Sequence, residues 1–154
     1  MKLIEKKCIA STYVEDIKII RSIFVMLETG IKGKEELIVD ESNTAKALGS
    51  GGLNVFATPA MIALSEKTAL TSIKDYLEEG TSTVGTKIDM SHIAATPVGM
   101  KVTCETELIE IDRRRLVFNV TVYDEVEKIA EGNHERFIVY NEKFQEKANS
   151  KNNK

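Results

Sequence analysis

The chain has 154 residues, of which 42% are hydrophobic and 29% charged, and its formal net charge is −3. A negative chain of ordinary globular composition argues against nucleic acid as the main partner. No run approaches about 18 consecutive apolar residues, so no membrane span is predicted. The two cysteines, Cys8 and Cys104, have no metal-ligand or disulfide-framework spacing, which favours a reducing, cytoplasmic setting without a metal site.

The first 28 residues differ from the rest of the chain. Their apolar segment IKIIRSIFVML is interrupted by Arg21, and no cleavage site follows it, so it is not typical of a signal peptide. Two interpretations stand: an extra helix or strand, or a start-site artefact in which Met26 begins a complete domain. We expect residues 1–28 to lie outside a domain spanning 29–146, and residues 147–154 to form a disordered tail.

The domain is predicted to begin with a short strand over residues 34–39. Residues 43–52, NTAKALGSGG, indicate a short helix followed by a glycine-rich loop. A long apolar helix is then predicted over residues 57–77. Thr58 has the character of its N-cap, Pro59 suits its first helical position, and Gly80 follows its end.

Four strands are predicted after the helix, over residues 83–92, 101–111, 115–123 and 128–140. Alternation in the first of them predicts one face made of Val84, Ile88, Met90 and His92. The next two alternate equally clearly, with faces made of Val102, Cys104, Thr106 and Leu108, and of Leu116, Phe118, Val120 and Val122. Short connections at 112–114 and 124–127 indicate hairpins.

This order of elements predicts an α+β protein of the hotdog fold. One strand, one long central helix and four more strands would form a five-stranded, mostly antiparallel sheet that wraps the helix. The apolar character around the helix predicts that it is almost wholly buried.

Glu66 is the most unusual residue of the predicted helix. Its neighbours at i±3 and i±4 are all apolar: Ile62, Ala63, Ala69 and Leu70. An unpaired buried carboxylate is costly, so this position indicates either a reactive group or an exposed residue beside Lys67.

His92 and Thr58 are the other candidates for chemistry. A histidine transfers protons near neutral pH, although a lone one at the end of an apolar face is commonly a core residue. Thr58 could simply cap the helix, but a helix N-terminus also offers unpaired N–H groups to a developing oxyanion. Gly85 indicates either a bulge or a close approach to substrate.

Residues 30–146 resemble the bacterial hotdog-fold thioesterases related to fluoroacetyl-CoA thioesterase. The motifs that carry the resemblance are VFATPAMIALSE (55–66), TVGTKIDMSHIAATPVGM (83–100), RRLVF (114–118) and EGNHERFIVYNEKF (131–144). The resemblance implies hydrolysis of an acyl-CoA thioester with a catalytic threonine, glutamate and histidine, which fall on Thr58, Glu66 and His92. It implies no cofactor beyond the coenzyme A of the substrate, and a homodimer with the site at the subunit interface.

Further residues are expected to bind substrate. The resemblance places the family's strand glycine on Gly85 and the arginine of its HER motif on Arg136. Arg136 would bind a coenzyme A phosphate or pair with a carboxylate, and the Arg113–Arg115 cluster is either a solvated corner or a phosphate contact. Asn54 and Phe56, which precede the helix, are expected to line the acyl pocket.

One departure concerns substrate choice. The fluoroacetate-specific relative has a bulky aromatic gate before the helix, where this chain has Ser50, Gly51 and Gly52. A plain short or medium acyl-CoA is therefore expected. Hydrolysis could use a base-activated water or attack by Glu66 through an anhydride. Two other functions remain open: a non-catalytic acyl-CoA-binding module and, ranked lower, an enoyl-CoA hydratase.

Overall fold

The structure is a computed structural model that describes residues 26–153. Within this range the strands are β1 (Lys32–Ile38), β2 (Thr81–His92), β3 (Lys101–Asp112), β4 (Arg115–Tyr123) and β5 (Lys128–Tyr140), and the helices are α1 (Thr58–Ile73) and α2 (Asn141–Asn149). The strands form one antiparallel sheet in the order β1-β3-β4-β5-β2, against which α1 packs. The α+β hotdog prediction is confirmed. The prediction for the N-terminal segment lies, up to residue 25, outside the described residues.

The core lies between α1 and the inner faces of the central strands. The predicted faces of β3 and β4 are confirmed, and their side chains are at most 3% exposed. The helix contributes residues spaced three and four apart, as an amphipathic helix requires: Met61, Leu64, Ser65, Thr68, Ala69 and Ile73. Both hydroxyls in this set donate to the carbonyl four residues earlier, so neither is left unpaired in the core.

The sequence predicted that helix α1 is almost wholly buried, and this prediction is wrong. Its opposite side exposes Ala63, Lys67 and Thr71, and Glu66 lies half-buried at the boundary between the two sides. The helix also ends at Ile73, after which residues 74–76 form a 3-10 turn.

The segment before α1 contains no α-helix, so the short helix predicted over residues 43–52 is wrong. A single 3-10 turn, Glu41–Asn43, begins with a capping box made by Asp40 and Asn43. It ends at once because Thr44 is extended and bridges to Phe56. The glycine-rich turn that follows is closed by the N–H groups of residues 50 and 51, which donate to the carbonyl of residue 45.

The four later strands do not form a simple meander, because β2 pairs with β5 and not with β3. The connection 93–100 is too long for a tight hairpin. It bridges to the segment before α1 through Val55 and Pro97, and the N–H of Val39 donates to the carbonyl of Met100. This connection leads β3 alongside β1 and leaves β2 at an edge of the sheet.

A β-bulge at Thr86 divides β2 into two parts. Gly85 pairs with Arg136 and Lys87 pairs with Glu135, so Thr86 is the extra residue. The bulge shifts the alternation of the strand. Before it, Thr83 and Gly85 face the helix; after it, Ile88, Met90 and His92 do. The prediction that Val84 shares a face with His92 is therefore wrong.

The C-terminal segment, for which a disordered tail was predicted from residue 147, is described to residue 153 as α2 and a 3-10 turn, Ser150–Asn153. None of the helices in residues 26–153 combines the length and apolar character needed to cross a membrane.

The contact between β2 and β5 gives a test of this topology. A Cβ on Gly132 would overlap the carbonyl oxygen of Asp89 and lie 2.7 Å from the Cα of Met90. Both are backbone atoms, so the strands would have to separate. We expect Gly132→Ala to lower the free energy of unfolding by at least about 2 kcal/mol in chemical denaturation. Gly52→Ala, where a Cβ meets open space, is the matched control. Equal stability of the two variants would contradict the β2–β5 register.

Candidate active site

Thr58 and His92 form a hydrogen-bonded pair. Thr58 is the first residue of α1 and His92 the last residue of β2, and Thr58 Oγ1 lies 2.8 Å from His92 Nδ1. Thr58 is not the helix cap that the sequence predicted, because the N-cap is Ala57 and no side chain caps the helix. Its hydroxyl is therefore available to the histidine.

The His92 ring is held in a poorly solvated position. Nε2 is buried and has no hydrogen-bond partner within the part of the chain that the structure describes. Burial lowers the pKa of His92, and a backbone hydrogen bond at Ala94 opposes this without cancelling it. The ring is accordingly neutral near pH 7, with one nitrogen able to accept a proton.

Backbone contacts explain why the pair forms. The buried Thr96 donates its hydroxyl to Asp124 Oδ2 at 3.0 Å, and its carbonyl accepts from the N–H of Phe56 at 2.8 Å. The segment after His92 is thereby joined to the segment before Thr58. Partial burial acts to raise the pKa of Asp124, but the N–H groups of Glu127 and Val126 outweigh it and keep the pKa below its usual range.

A cleft of about 290 Å³ opens beside this pair. Thr58 and His92 lie in its wall, and the buried Phe56 forms part of its floor. The rest of the lining is small or aliphatic: Ala45, Ser50, Val55, Ile93, Ala94 and Ala95. Of the two residues expected to line an acyl pocket, Phe56 lines this cleft, whereas Asn54 is exposed and outside the lining.

Glu66 lies against Gly85. A Cβ built on Gly85 would be 2.6 Å from Glu66 Oε1, so only glycine leaves room for the carboxylate there. Lys67 does not pair with Glu66, because its Nζ binds Glu35 Oε2 at 2.9 Å. No hydrogen bond or ion pair involves the Glu66 carboxylate among residues 26–153.

Arg136 is 5% exposed, and protein acceptors surround its guanidinium. Nε and Nη2 donate to the side chain and the carbonyl of Thr83, each at 2.8 Å, and Nη1 lies 3.4 Å from the carbonyl of Glu66. Burial lowers the pKa of Arg136, and the charge of Glu66 opposes this effect. Its guanidinium is thus held by protein acceptors, and a contact with a coenzyme A phosphate stays a prediction.

His134, to which the sequence assigned no role, completes this buried cluster. Its Nδ1 lies 2.9 Å from the carbonyl of Lys87, which can only accept, so Nδ1 carries the proton. Its Nε2 then accepts from Arg136 Nη1 at 3.0 Å. Burial lowers the pKa of His134, and the charge of Arg136 adds to that effect. The only sequence signal was that His134 and Arg136 share a strand face.

The predicted arginine cluster splits in the structure. Arg115 pairs with Glu110 and Glu135, at 2.7 and 2.9 Å, while Arg114 lies over the ring of Phe137. These contacts agree with the solvated-corner interpretation.

Within a single chain the candidate residues form two separate groups. Thr58 and Glu66 are eight residues apart on α1, which is about 12 Å along the axis. Gly85 and His92 are seven residues apart on β2, which is roughly 20 Å of strand. The structure therefore brings Thr58 to His92, and Glu66 to Gly85 and the Arg136 cluster, but it does not bring the two groups into contact.

Comparison with known proteins identifies a family and several similar structures. The model of a family described as "FlK: Fluoroacetyl-CoA-specific thioesterase" matches residues 39–142. The fluoroacetyl-CoA thioesterase of Streptantibioticus cattleyicolor is 41% identical over 97 residues, which is 63% of this chain and 70% of the relative.

Solved structures extend the comparison to the fold. A structure of the fluoroacetyl-CoA thioesterase FlK aligns with a TM-score of 0.77 at 34% identity, covering 81% of this chain and 97% of that one. A hypothetical protein of Thermus thermophilus, described as a thioesterase superfamily member, aligns with a TM-score of 0.76 at 23% identity, over 82% and 93% of the two chains. The second likeness concerns the fold alone. The chain belongs to the family of hotdog-fold thioesterases described as fluoroacetyl-CoA-specific.

Proposed function

We propose that this chain is an acyl-CoA thioesterase that hydrolyses a short or medium acyl-CoA to the free acid and coenzyme A. The observation that carries the proposal is the Thr58–His92 pair, bonded at 2.8 Å in the wall of an apolar cleft. It works without a resident cofactor, since coenzyme A is the leaving group. We place it in the reducing cytoplasm, a setting that suits the buried free thiol of Cys104.

The working unit of this proposal is a homodimer. Strand β2 is an edge strand of 12 residues, and such a long edge is a template for pairing with another strand. A two-fold axis near the middle of β2 would pair it antiparallel with the same strand of a second copy. That pairing sets Gly85 of each copy near His92 of the other, so that the Glu66 carboxylate of one copy meets the Thr58–His92 pair of the other.

The start of α1 supplies donors for the thioester oxygen. Pro59 has no N–H, and the N–H of Met61 already donates to the carbonyl of Ala57 at 2.9 Å. The N–H groups of Thr58 and Ala60 have no partner inside the helix. Placed against the carbonyl oxygen, they would stabilise the negative charge that develops as the tetrahedral intermediate forms.

Two routes through the reaction fit these positions. In one, neutral His92 takes a proton from the attacking water and returns it to the departing thiolate, while Glu66 orients the water and balances the imidazolium charge. In the other, the Glu66 carboxylate attacks the carbonyl, expels the thiolate and forms an anhydride, which a water activated by His92 then opens. Both routes need Glu66 and His92 at the same carbonyl.

A test with mixed subunits examines this requirement. Glu66→Gln and His92→Gln are each expected to lower kcat for thiol release by about 100-fold or more. Heterodimers of the two variants, co-expressed with different tags and purified through both, contain one site with neither change. We expect them to recover roughly half of wild-type activity, because one of two sites is intact.

The controls are dimers in which both chains carry the same substitution and differ only in their tags. We expect these controls to stay inactive. Inactive mixed heterodimers would contradict the shared site. Tight acyl-CoA binding without thiol release by the wild type would instead identify a binding module.

Gly85 gives a second test of the Glu66 position. A Cβ at Gly85 would lie 2.6 Å from Glu66 Oε1 and 3.1 Å from Cε1 of the buried His134, but it meets no backbone atom, so we expect Gly85→Ala to fold. A carboxylate misplaced by about 1 Å can cost up to about 100-fold in rate. We expect kcat to fall at least tenfold, measured by thiol release on protein that circular dichroism shows to be folded. Thr86→Ala, at the exposed bulge, is the control; wild-type kcat in Gly85→Ala would contradict the proposed role of Glu66.

The pH dependence tests the protonation state of His92. Because burial lowers its pKa, the neutral form that accepts a proton persists below the ordinary value of about 6.5. In the dimer the nearby Glu66 carboxylate of the second copy opposes the effect of burial, so we expect kcat/KM to fall on the acid side as His92 gains a proton and to be level at neutral pH. An acid limb centred above pH 7 would contradict a neutral, proton-accepting His92.

This measurement needs a check of folding in acid. His92 and His134 both have lowered pKa values in the folded state, so the unfolded chain binds protons first as the pH falls through about 6.5. Stability is therefore lost on the acid side, and circular dichroism at each pH sets the range in which rates are compared.

A further inference from the structure

The lining of the cleft beside Thr58 and His92 indicates which part of the substrate it binds. This inference rests on the thioesterase function proposed above. None of its lining residues is a lysine, an arginine or a carboxylate. The phosphates of coenzyme A require cationic or N–H donors, whereas an acyl chain requires only apolar walls. A thioester carbonyl held at the Thr58–His92 pair would therefore direct its acyl chain, and not its nucleotide, into this cleft.

The volume of the cleft sets the size of that chain. At about 290 Å³, and open to solvent at its mouth, the cleft has room for more than a two-carbon acyl group. A two-carbon acyl group would leave most of this volume to water. A chain of about four to eight carbons would fill it and remove the apolar lining from water.

Small side chains create this space. Ala45 and Ser50 lie on one side of the cleft, and Ala94 and Ala95 lie on the other. The turn that carries Ser50 closes tightly on Ala45: a Cβ on Gly51 would lie 3.3 Å from the Cβ of Ala45. A larger side chain at Ala45 or Ser50 therefore has nowhere to go except into the cleft or out into water.

We propose that the substrate is a medium-chain acyl-CoA with about four to eight acyl carbons, and that Ala45 and Ser50 set its length. The mouth of the cleft is open, because Ser50, Ile93 and Ala95 are exposed. Carbons beyond the lining therefore remain in water, and the preference levels off with length instead of reversing sharply.

The experiment measures kcat/KM for a series of linear acyl-CoAs from two to twelve carbons. Each buried methylene is expected to raise kcat/KM about fourfold until the cleft is full, after which the values level off. The hexanoyl to acetyl ratio should fall at least tenfold in Ala45→Leu and in Ser50→Leu. The second variant is at an exposed position, so it tests the proposal even if Ala45→Leu does not fold.

Ala47→Leu is the matched control, since it makes the same change in the same turn at an exposed residue outside the lining. Its hexanoyl to acetyl ratio should equal that of the wild type. A wild type that prefers acetyl-CoA, or an unchanged ratio in both cleft variants, would overturn the chain-length proposal and leave the thioesterase intact. Absence of thiol release from every acyl-CoA would instead refute the proposed function.

Discussion

The guanidinium of Arg136 joins three parts of the fold at one buried point. It bonds Thr83 on β2, approaches the carbonyl of Glu66 on α1 and extends from β5, where it also meets His134. An arginine keeps its charge in proteins, so its burial is tolerable only because each of the three guanidinium nitrogens finds an acceptor. These contacts fix the height of α1 over β2, and with it the place of the Glu66 carboxylate.

The sequence was sufficient for the elements whose patterns are regular. The predicted faces of β3, from Val102 to Leu108, and of β4, from Leu116 to Val122, alternate as expected, and both hairpins are as predicted. The alternation of β3 ends at a register shift between Leu108 and Glu110. The family motifs also pick out residues that the structure brings together in pairs: Thr58 meets His92, and Glu66 lies beside Gly85. Each of these depends on local periodicity or on a motif that is contiguous in the chain.

The errors concern features that depend on distant parts of the chain. Gly85 indicated that a bulge was one possibility, but alternation within β2 alone does not place it at Thr86, because its position is defined by the pairing of both halves of β2 with β5. Pairing of β2 with β5 likewise depends on where the connection 93–100 anchors. The burial of Arg136 was not predicted either, because side-chain type does not reveal burial and two of its partners, Thr83 and Glu66, lie about 50 to 70 positions away.

The bulge also makes the length of β2 a constraint on chemistry. Gly85 and His92 both face the helix only because one residue between them is left out of the pairing ladder. Removing or adding a single residue in this stretch would turn either the glycine or the histidine toward solvent, although no functional side chain had been changed. In this strand the spacing of residues is therefore as much a part of the site as their identity. Relatives that keep this glycine and this histidine are expected to keep the same number of residues between them.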